Sequence, residues 1–295
     1  MGQFPYVLIA CIGGSGCMSL TVQACFYRVS VRKEQVFMIK NSFSILQGVG
    51  EKLERRLWAN GIRSWDDFLA ADEIGFLGLE RKRFYDERLH QAASHLDLED
   101  EQYFAKTLRG KEHWRLFPDF RKYAVALDIE SNGYTPAAGG YPTVVGLYDG
   151  VDYKALVKGQ DLTCENLEKE LSRYKYLITF FGSGFDVPFL KQTLGVRFTM
   201  PHFDLSFAGK QAGLKGGLKK LEDQFGILRE DSVRGLNGYD AVKLWKTAKK
   251  GDAVALDLLI AYNRCDTVNL FALADRLYGM LRDQSGIAAV KSLAH

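Results

Sequence analysis

The chain has 295 residues, of which 47% are hydrophobic and 25% are charged, and this composition is typical of a soluble globular protein with one large or two smaller domains. A formal net charge of +3 does not exclude a polyanionic partner, because a local basic patch can steer nucleic acid even when the total charge is small. Five cysteines without a Cys-x-x-Cys pair argue against a disulfide framework and a zinc site, and they favour a reducing compartment, so we predict a cytoplasmic protein.

An apolar stretch over residues 7–29 is the first feature along the chain. No Lys or Arg precedes it, and glycines and polar residues interrupt it well short of the roughly 18 apolar positions that span a membrane. We interpret it as neither a targeting nor a spanning segment, and we predict no membrane partner. Because Met38 comes just before the first clear domain, residues 1–40 are predicted to be an N-terminal extension of uncertain status.

Glycines interrupt a helical pattern in residues 41–96. The apolar spacing predicts a short helix, a turn at Gly48 and Gly50, and then an amphipathic helix. A glycine turn exposes backbone N–H groups at a helix N-terminus, where the helix dipole favours an anion. Lys52 follows this turn at once. The stretch resembles a helix-hairpin-helix module, which implies nucleic-acid binding at these three residues; the alternative is a small helical domain whose glycines only turn the chain.

The remainder divides into a bridge and a second domain. Residues 97–120 are charged and aromatic, which is typical of a linker. Residues 121–295 predict an α/β domain, because mixed strands are followed by helices. The predicted strands are residues 122–130, 142–149, 151–157 and 176–181, and the predicted helices are residues 161–174, one from residue 186 onward and two long segments that end near residue 276, with a basic loop over residues 205–220.

Two carboxylates close the first strand of this domain, in the sequence "YAVALDIESNG" at residues 123–133. Alternate residues of a strand project from the same face, so Asp128 and Glu130 point the same way. Two ionised carboxylates side by side repel each other and lose hydration unless a cation or a shared proton relieves them. The pair therefore suggests a divalent metal site, although two solvated acids beyond the core are the alternative for a lone Asp-x-Glu.

Three further polar residues stand where such a site could be completed. Asp186 lies in "GFDVPFL", where glycines end a strand and a helix begins, and a lone Asp there most often caps the helix. Tyr262 and Asp266 in "YNRCD" are four residues apart on a helix, so they share a face. Each alone suits a structural role, and the informative signal is the whole set in this order.

The ordered motifs resemble those of the DEDD 3′-to-5′ exonucleases of the ribonuclease H-like fold, in the Tyr-bearing branch called DEDDy. Residues 121–276 are similar to the YprB-like predicted exonucleases, including the segments "HFDL", "GGLKKLEDQFGI" and "GYDAVKLW". The resemblance implies an α/β domain with a ribonuclease H-like mixed sheet flanked by helices, preceded by a small all-α helix-hairpin-helix domain. It also implies two Mg²⁺ or Mn²⁺ ions held by four carboxylates, and a tyrosine that orients the attacking water. The implied metal ligands are Asp128, Glu130, Asp186 and Asp266, and the implied tyrosine is Tyr262.

Substrate contacts are less sharply defined by the sequence. Lys215 and Lys219 fall in one glycine-punctuated basic stretch and are candidates to line a strand channel, with a solvated loop as the alternative. The chain also departs at two places from the enzymes that it resembles. Phe181 stands where relatives often carry Asn, and Ser131-Asn132-Gly133 stands where they often read Thr-Thr-Gly.

The function that this resemblance implies is a two-metal-ion 3′-to-5′ exonuclease that hydrolyses single-stranded DNA or RNA ends, in nucleic-acid repair or processing. The first alternative is a nucleic-acid-binding adaptor with a degenerate nuclease domain. The second is a structure-specific endonuclease. The sequence does not predict protein partners.

Overall fold

The computed structural model describes residues 39–286, so the predicted N-terminal extension lies outside the described residues except for its last two positions. Residues 39–50 form turns, whereas the sequence predicted a short helix before Gly48. One carboxylate oxygen of Glu54 accepts hydrogen bonds from the backbone N–H groups of Phe43, at 2.7 Å, and Ser44, at 3.2 Å. This buried side chain holds the segment in a turn, which local helical spacing could not predict.

The described part of the chain contains α-helices that cover the sheet and build the N-terminal region. Their bounds are α1 Glu51–Ala59, α2 Trp65–Ala70, α3 Leu79–Asp97, α4 Glu101–Thr107, α5 Phe117–Phe120, α6 Cys164–Leu171, α7 Asp186–Leu194, α8 Leu205–Gln211, α9 Leu218–Phe225, α10 Gly238–Ala248 and α11 Ala253–Ser285. Short 3₁₀ helices occur at Gly110–Leu116, Arg121–Tyr123, Pro136–Ala138 and Asp231–Val233.

The strands form one mixed five-stranded sheet, which confirms the predicted α/β class. Their bounds are β1 Ala124–Ser131, β2 Pro142–Tyr148, β3 Tyr153–Val157, β4 Tyr176–Thr179 and β5 His202–Asp204. The order is β3-β2-β1-β4-β5, with β1 antiparallel to β2 and parallel to β4. The three-residue strand β5 was not predicted, because so short a segment carries no periodic pattern.

The segment predicted as a linker, residues 97–120, is largely helical and contributes large side chains to the core. Phe104, Trp114 and Phe117 are all buried in the hydrophobic cluster that also contains Trp58 of the N-terminal helices and Phe203 of the sheet. Nearby, a guanidinium nitrogen of Arg115 lies 3.0 Å from a carboxylate oxygen of Glu54. The N-terminal helices and the sheet therefore share one continuous core.

Two hydrophobic layers enclose β1. Val125, Leu127 and Ile129 belong to the layer that includes side chains of α6 and α7, whereas Ala124 and Ala126 belong to the layer that includes side chains of α11. Asp128 and Glu130 continue the alternate positions of Ala124 and Ala126, so they lie on the side of β1 that faces α11. The predicted basic loop is also structured, because Asp204 caps α8 and Leu221 of α9 is buried.

The long helix α11 approaches β2 closely at Gly146. A Cβ atom at this glycine would lie 2.0 Å from Oδ1 of Asn263 and 2.5 Å from Oγ1 of Thr267. Gly146 pairs with Asp128 in the sheet register. The missing side chain therefore allows one turn of α11 to sit directly against the strand pair that carries the first carboxylate. Within residues 39–286, no helix is both long and apolar enough to cross a membrane.

Candidate active site

Three carboxylates meet where the end of β1 faces α11. Asp128, Glu130 and Asp266 each place one oxygen within 4.8 Å of those of the other two. Glu130 and Asp266 are buried, and Asp128 keeps partial exposure. The sheet register shifts between Glu130 and Ser131, so β1 is irregular at this point. The structure thus brings together residues that are 136 positions apart in the chain, from Glu130 to Asp266.

Asp186 lies beside this cluster, although it is not one of the three residues within 4.8 Å of one another. It is 4% exposed, and its Oδ1 accepts a hydrogen bond of 3.2 Å from the backbone N–H of Ile129, between the two acids of β1. It is also the first residue of α7, where the helix dipole stabilises a negative charge. The strand-to-helix junction therefore presents the fourth predicted carboxylate to the same edge of the sheet.

Burial and mutual repulsion make the acids of this site hard to ionise. Burial, with the charges of Asp266 and Glu130, raises the pKa of Asp128 well above its ordinary value. Burial and the charge of Asp266 also raise the pKa of Glu130, and burial raises the pKa of Asp186 to about 7. A cation among these groups would relieve the repulsion.

An asparagine that the sequence analysis missed holds Asp128 in place. Nδ2 of Asn263 donates to Oδ2 of Asp128 at 2.9 Å and to its backbone oxygen at 3.2 Å. The hydroxyl of Tyr153 donates to Oδ1 of Asn263 at 2.8 Å, which fixes the orientation of the amide. Asn263 is fully buried and follows Tyr262 directly, so its only sequence signal was its place inside "YNRCD".

A buried arginine, also missed, neutralises part of the charge. A guanidinium nitrogen of Arg229 lies 2.5 Å from Oδ1 of Asp266, and its Nε donates to Glu222 at 2.6 Å. Glu222 is 1% exposed and accepts a second hydrogen bond of 2.9 Å from Asn269 of α11. Burial raises the pKa of Asp266, and the adjacent guanidinium opposes that shift. Arg229 carried no sequence signal, because its partners are 7 and 37 residues away.

Tyr262 lies one turn before Asp266 on α11 and is only 5% exposed. Nζ of Lys219 donates to its hydroxyl at 3.2 Å and sits 5.0 Å from the centre of its ring. Lys219 also donates to the backbone oxygen of Leu236. Burial, then the charge of Asp266, raises the pKa of the tyrosine hydroxyl. The phenol is therefore held neutral beside the carboxylates.

The remaining predicted residues lie away from these acids or at the surface. Gly48 and Gly50 occupy the turn before α1; the φ angle of Gly48 is +80°, and the hydroxyl of Tyr85 donates to Gln47 of the same turn at 2.8 Å. Lys52 is exposed on α1, and Lys215 is exposed between α8 and α9.

The donor set suits a hard divalent cation. Carboxylate oxygens are the ligands that Mg²⁺ and Mn²⁺ prefer, and the cluster supplies at least three of them from rigid elements, a strand and a helix. The raised pKa values of Asp128 and Glu130 arise from burial and from the neighbouring acids, and a cation would offset both effects. The residues present therefore fit a metal ion.

Comparison with known proteins gives one family match. Residues 125–278, which include every acid of the site, match the family model of the RNase H superfamily. Among solved structures the chain is similar to NrnC of Brucella melitensis, with 24% identity, a TM-score of 0.41, and coverage of 59% of this chain and 83% of that one. A search of curated proteins gives no match.

Proposed function

Because this chain belongs to the RNase H superfamily, we propose that it is a metal-dependent 3′-to-5′ exonuclease that shortens single-stranded DNA or RNA ends. The observation that carries the proposal is the cluster of Asp128, Glu130 and Asp266, with oxygens within 4.8 Å of one another. Family membership with such a cluster points to a nuclease hydrolase. The exonuclease type and the Tyr-bearing branch rest on the motif order and on Tyr262 beside Asp266.

The four carboxylates Asp128, Glu130, Asp186 and Asp266 would hold two Mg²⁺ or Mn²⁺ ions. When bound, such ions lower the pKa of water and neutralise the charge that develops on the phosphate. Asn263 and Arg229 fix the orientation of Asp128 and Asp266. Tyr262, held neutral, positions a water or a phosphate oxygen through its hydroxyl and does not act as a base.

The N-terminal helices would grip the nucleic acid. The turn at Gly48 and Gly50 leads directly into α1, and Lys52 follows on its exposed first turn. Helix N-termini and lysines are common partners of phosphate groups. Lys215, exposed in the loop before α9, would contact the strand, and Lys219 would contribute from within the site.

The test is a digestion of labelled single-stranded DNA and RNA with each end blocked in turn, in Mg²⁺, in Mn²⁺ and in EDTA. We expect mononucleotides to be released only with metal and only when the 3′ end is free. Cleavage of substrates blocked at both ends would favour the endonuclease alternative, and tight binding without any cleavage would favour the adaptor.

Substitutions at matched positions link this activity to the cluster. Asp128→Asn should abolish hydrolysis while the protein stays folded. Asp257→Asn, at an exposed acid of α11 outside the cluster, should leave turnover unchanged. Near-normal turnover in Asp128→Asn would overturn the proposal.

A further inference from the structure

Three neighbouring cavities lie between the glycine turn and the loop that precedes Asp186. The first, of about 570 Å³, is lined by Gly48 and Arg109, and the second, of about 600 Å³, shares Arg109 with it. The third, of about 370 Å³, shares Lys111 and Phe207 with the second and reaches Ser183. Their shared lining residues place the three cavities side by side, and we call the surface that they form together the strand groove.

Two exposed aromatic rings lie together at the end of the strand groove that reaches Ser183, and one of them, Phe207, lines the third cavity. Phe207 is 48% exposed and Phe181 is 44% exposed, and their ring centres are 6.3 Å apart. The ammonium group of Lys210 lies 5.2 Å from the centre of the Phe207 ring. Exposed aromatic faces beside cations are the arrangement on which proteins stack the bases of single strands.

The backbone of Phe181 has a strained conformation, although its side chain is exposed and not held by packing in the core. Its φ angle is +64°, and within residues 39–286 only Glu99 shares a positive φ among residues other than glycine. Its N–H donates to Asp204 at 2.9 Å, and its ring covers Gly184, where a Cβ atom would lie 2.5 Å from the ring. A bulky residue in this region is costly, and such strain concentrates at functional sites. The surroundings thus hold an exposed ring five residues before Asp186.

The charges along the strand groove favour a polyanion. Each acidic residue that lines the groove has a partner. Glu54 and Glu112 both bind Arg115, at 3.0 and 2.7 Å, and Glu51 pairs with Arg55 at 2.7 Å. Asp204 accepts hydrogen bonds from the backbone N–H groups of Phe181 and Ser183. Arg109 is 55% exposed, and its ion pair with Glu112 is long, at 4.0 Å. Lys111 is also exposed. These two cations therefore remain available to phosphate groups.

We propose that the strand groove carries a single strand of nucleic acid from the glycine turn to the carboxylates, with Arg109 and Lys111 along its phosphates and an unpaired base stacked on Phe181 and Phe207. The identity of this ligand rests on the proposed function. The strand must be single, because the bases of a duplex stack on one another and do not offer their faces.

The test measures the binding of a fluorescent oligothymidylate, in EDTA, by anisotropy at several salt concentrations. Phe181→Ala with Phe207→Ala should weaken binding by about 5- to 100-fold without changing the salt dependence. Arg109→Gln with Lys111→Gln should lower the slope of log affinity against log salt by about 1.4, which is about 0.7 for each phosphate contact. Phe181→Leu with Phe207→Leu, which keeps apolar volume, should bind as weakly as the alanine pair.

Matched controls lie outside the three cavities. Tyr174→Ala removes an aromatic ring whose centre lies 5.7 Å from the guanidinium of Arg173. Tyr174 lies just before β4, whereas Phe181 lies just after it, so the two rings are at opposite ends of the strand. Lys169→Gln with Lys250→Gln removes two exposed cations. Both should bind like the unmodified protein.

Binding without metal separates this inference from the proposed function. If the double alanine variant of Phe181 and Phe207 binds as tightly as Tyr174→Ala, base stacking in the strand groove is wrong. The same conclusion follows if the double leucine variant binds like the unmodified protein. If the salt slope of the Arg109 and Lys111 variant is unchanged, the phosphate path is wrong. If binding depends on the two rings but the protein hydrolyses no substrate, the strand groove is supported and the proposed nuclease function is wrong.

Discussion

Tyr262 is buried, and its hydroxyl receives a hydrogen bond from Lys219. Its raised pKa keeps the phenol protonated at neutral pH, so it cannot serve as a general base, and we propose that it positions water or phosphate. We predict that Tyr262→Phe binds metal and single strands normally but lowers turnover by roughly 10- to 1,000-fold. Metal binding by calorimetry and single-turnover kinetics check the two parts. Unchanged turnover would mean that the ring only packs in the core.

Arg229 is the cation in the ion pairs of two buried acids, Glu222 and Asp266. Removing one partner of a buried ion pair costs about 3–5 kcal/mol, whereas exposed pairs contribute little. We therefore predict that Arg229→Leu lowers the free energy of unfolding by about 3–5 kcal/mol in urea titrations without metal. The control, Arg234→Leu, breaks an exposed pair with Asp231 and should change the free energy by less than about 0.5 kcal/mol.

An equal effect of these two substitutions would show that Arg229 does not stabilise the acids. Sequence reasoning singled out the four acids as candidate ligands but neither Arg229 nor Asn263. The acids were recognisable because each belongs to a short motif with characteristic residue types at fixed spacing in one stretch of the chain. Arg229 and Asn263 act through contacts between elements, and these leave no local pattern.

Contact between α11 and the strand pair β1–β2 places Asn263 against Asp128. Gly146→Ala would put a methyl group within 2.0 Å of Oδ1 of Asn263, so helix or strand must move. We predict a loss of about 1–3 kcal/mol in stability, and a larger relative loss in metal affinity because the movement displaces a ligand. Urea denaturation and metal titration measure the two effects.

A second glycine on α11 provides the matched control. Nothing lies within 4 Å of a Cβ atom at Gly279, so Gly279→Ala should raise stability by about 0.5–1 kcal/mol through helix propensity alone. If both variants bind metal like the unmodified protein, close approach at Gly146 does not position the site.

The elements that the sequence predicted well share one property. β1, β2 and β3 are runs of mainly apolar residues, α11 has apolar residues at helical spacing, and α7 begins at a glycine-marked junction. The helices within residues 97–120 and 205–220 were missed, because charged and glycine-rich segments read locally as loops. Their structure comes from tertiary burial, as for Trp114, and from the cap that Asp204 provides.

For the whole molecule, the raised pKa values predict how stability depends on pH. The folded protein without metal holds protons on Asp186 up to about pH 7, whereas an unfolded Asp loses its proton near pH 4. Between these values the folded state binds more protons than the unfolded state, so stability falls as pH rises. We predict a melting temperature that decreases from pH 4 to pH 7 in EDTA, and a smaller decrease in Asp186→Asn.

Metal should reverse this trend, because a cation stabilises the ionised acids. Saturating Mn²⁺ should therefore raise the melting temperature more at pH 8 than at pH 5. A pH-independent rise would indicate that metal binds elsewhere than the carboxylate cluster. The Asp257→Asn variant, measured in parallel, should follow the unmodified protein at every pH.

The protonated acids also affect the balance of charge across the molecule. The formal net charge of +3 counts every carboxylate as ionised, so the metal-free protein is more positive than its formula indicates. As divalent ions bind, protons leave the same oxygens, so proton release offsets part of the positive charge that the ions add. A weakly buffered solution of the protein should therefore acidify when Mg²⁺ is added. Proton release therefore makes the charge that an approaching strand meets depend less on metal loading, so binding in the strand groove need not wait for the metal.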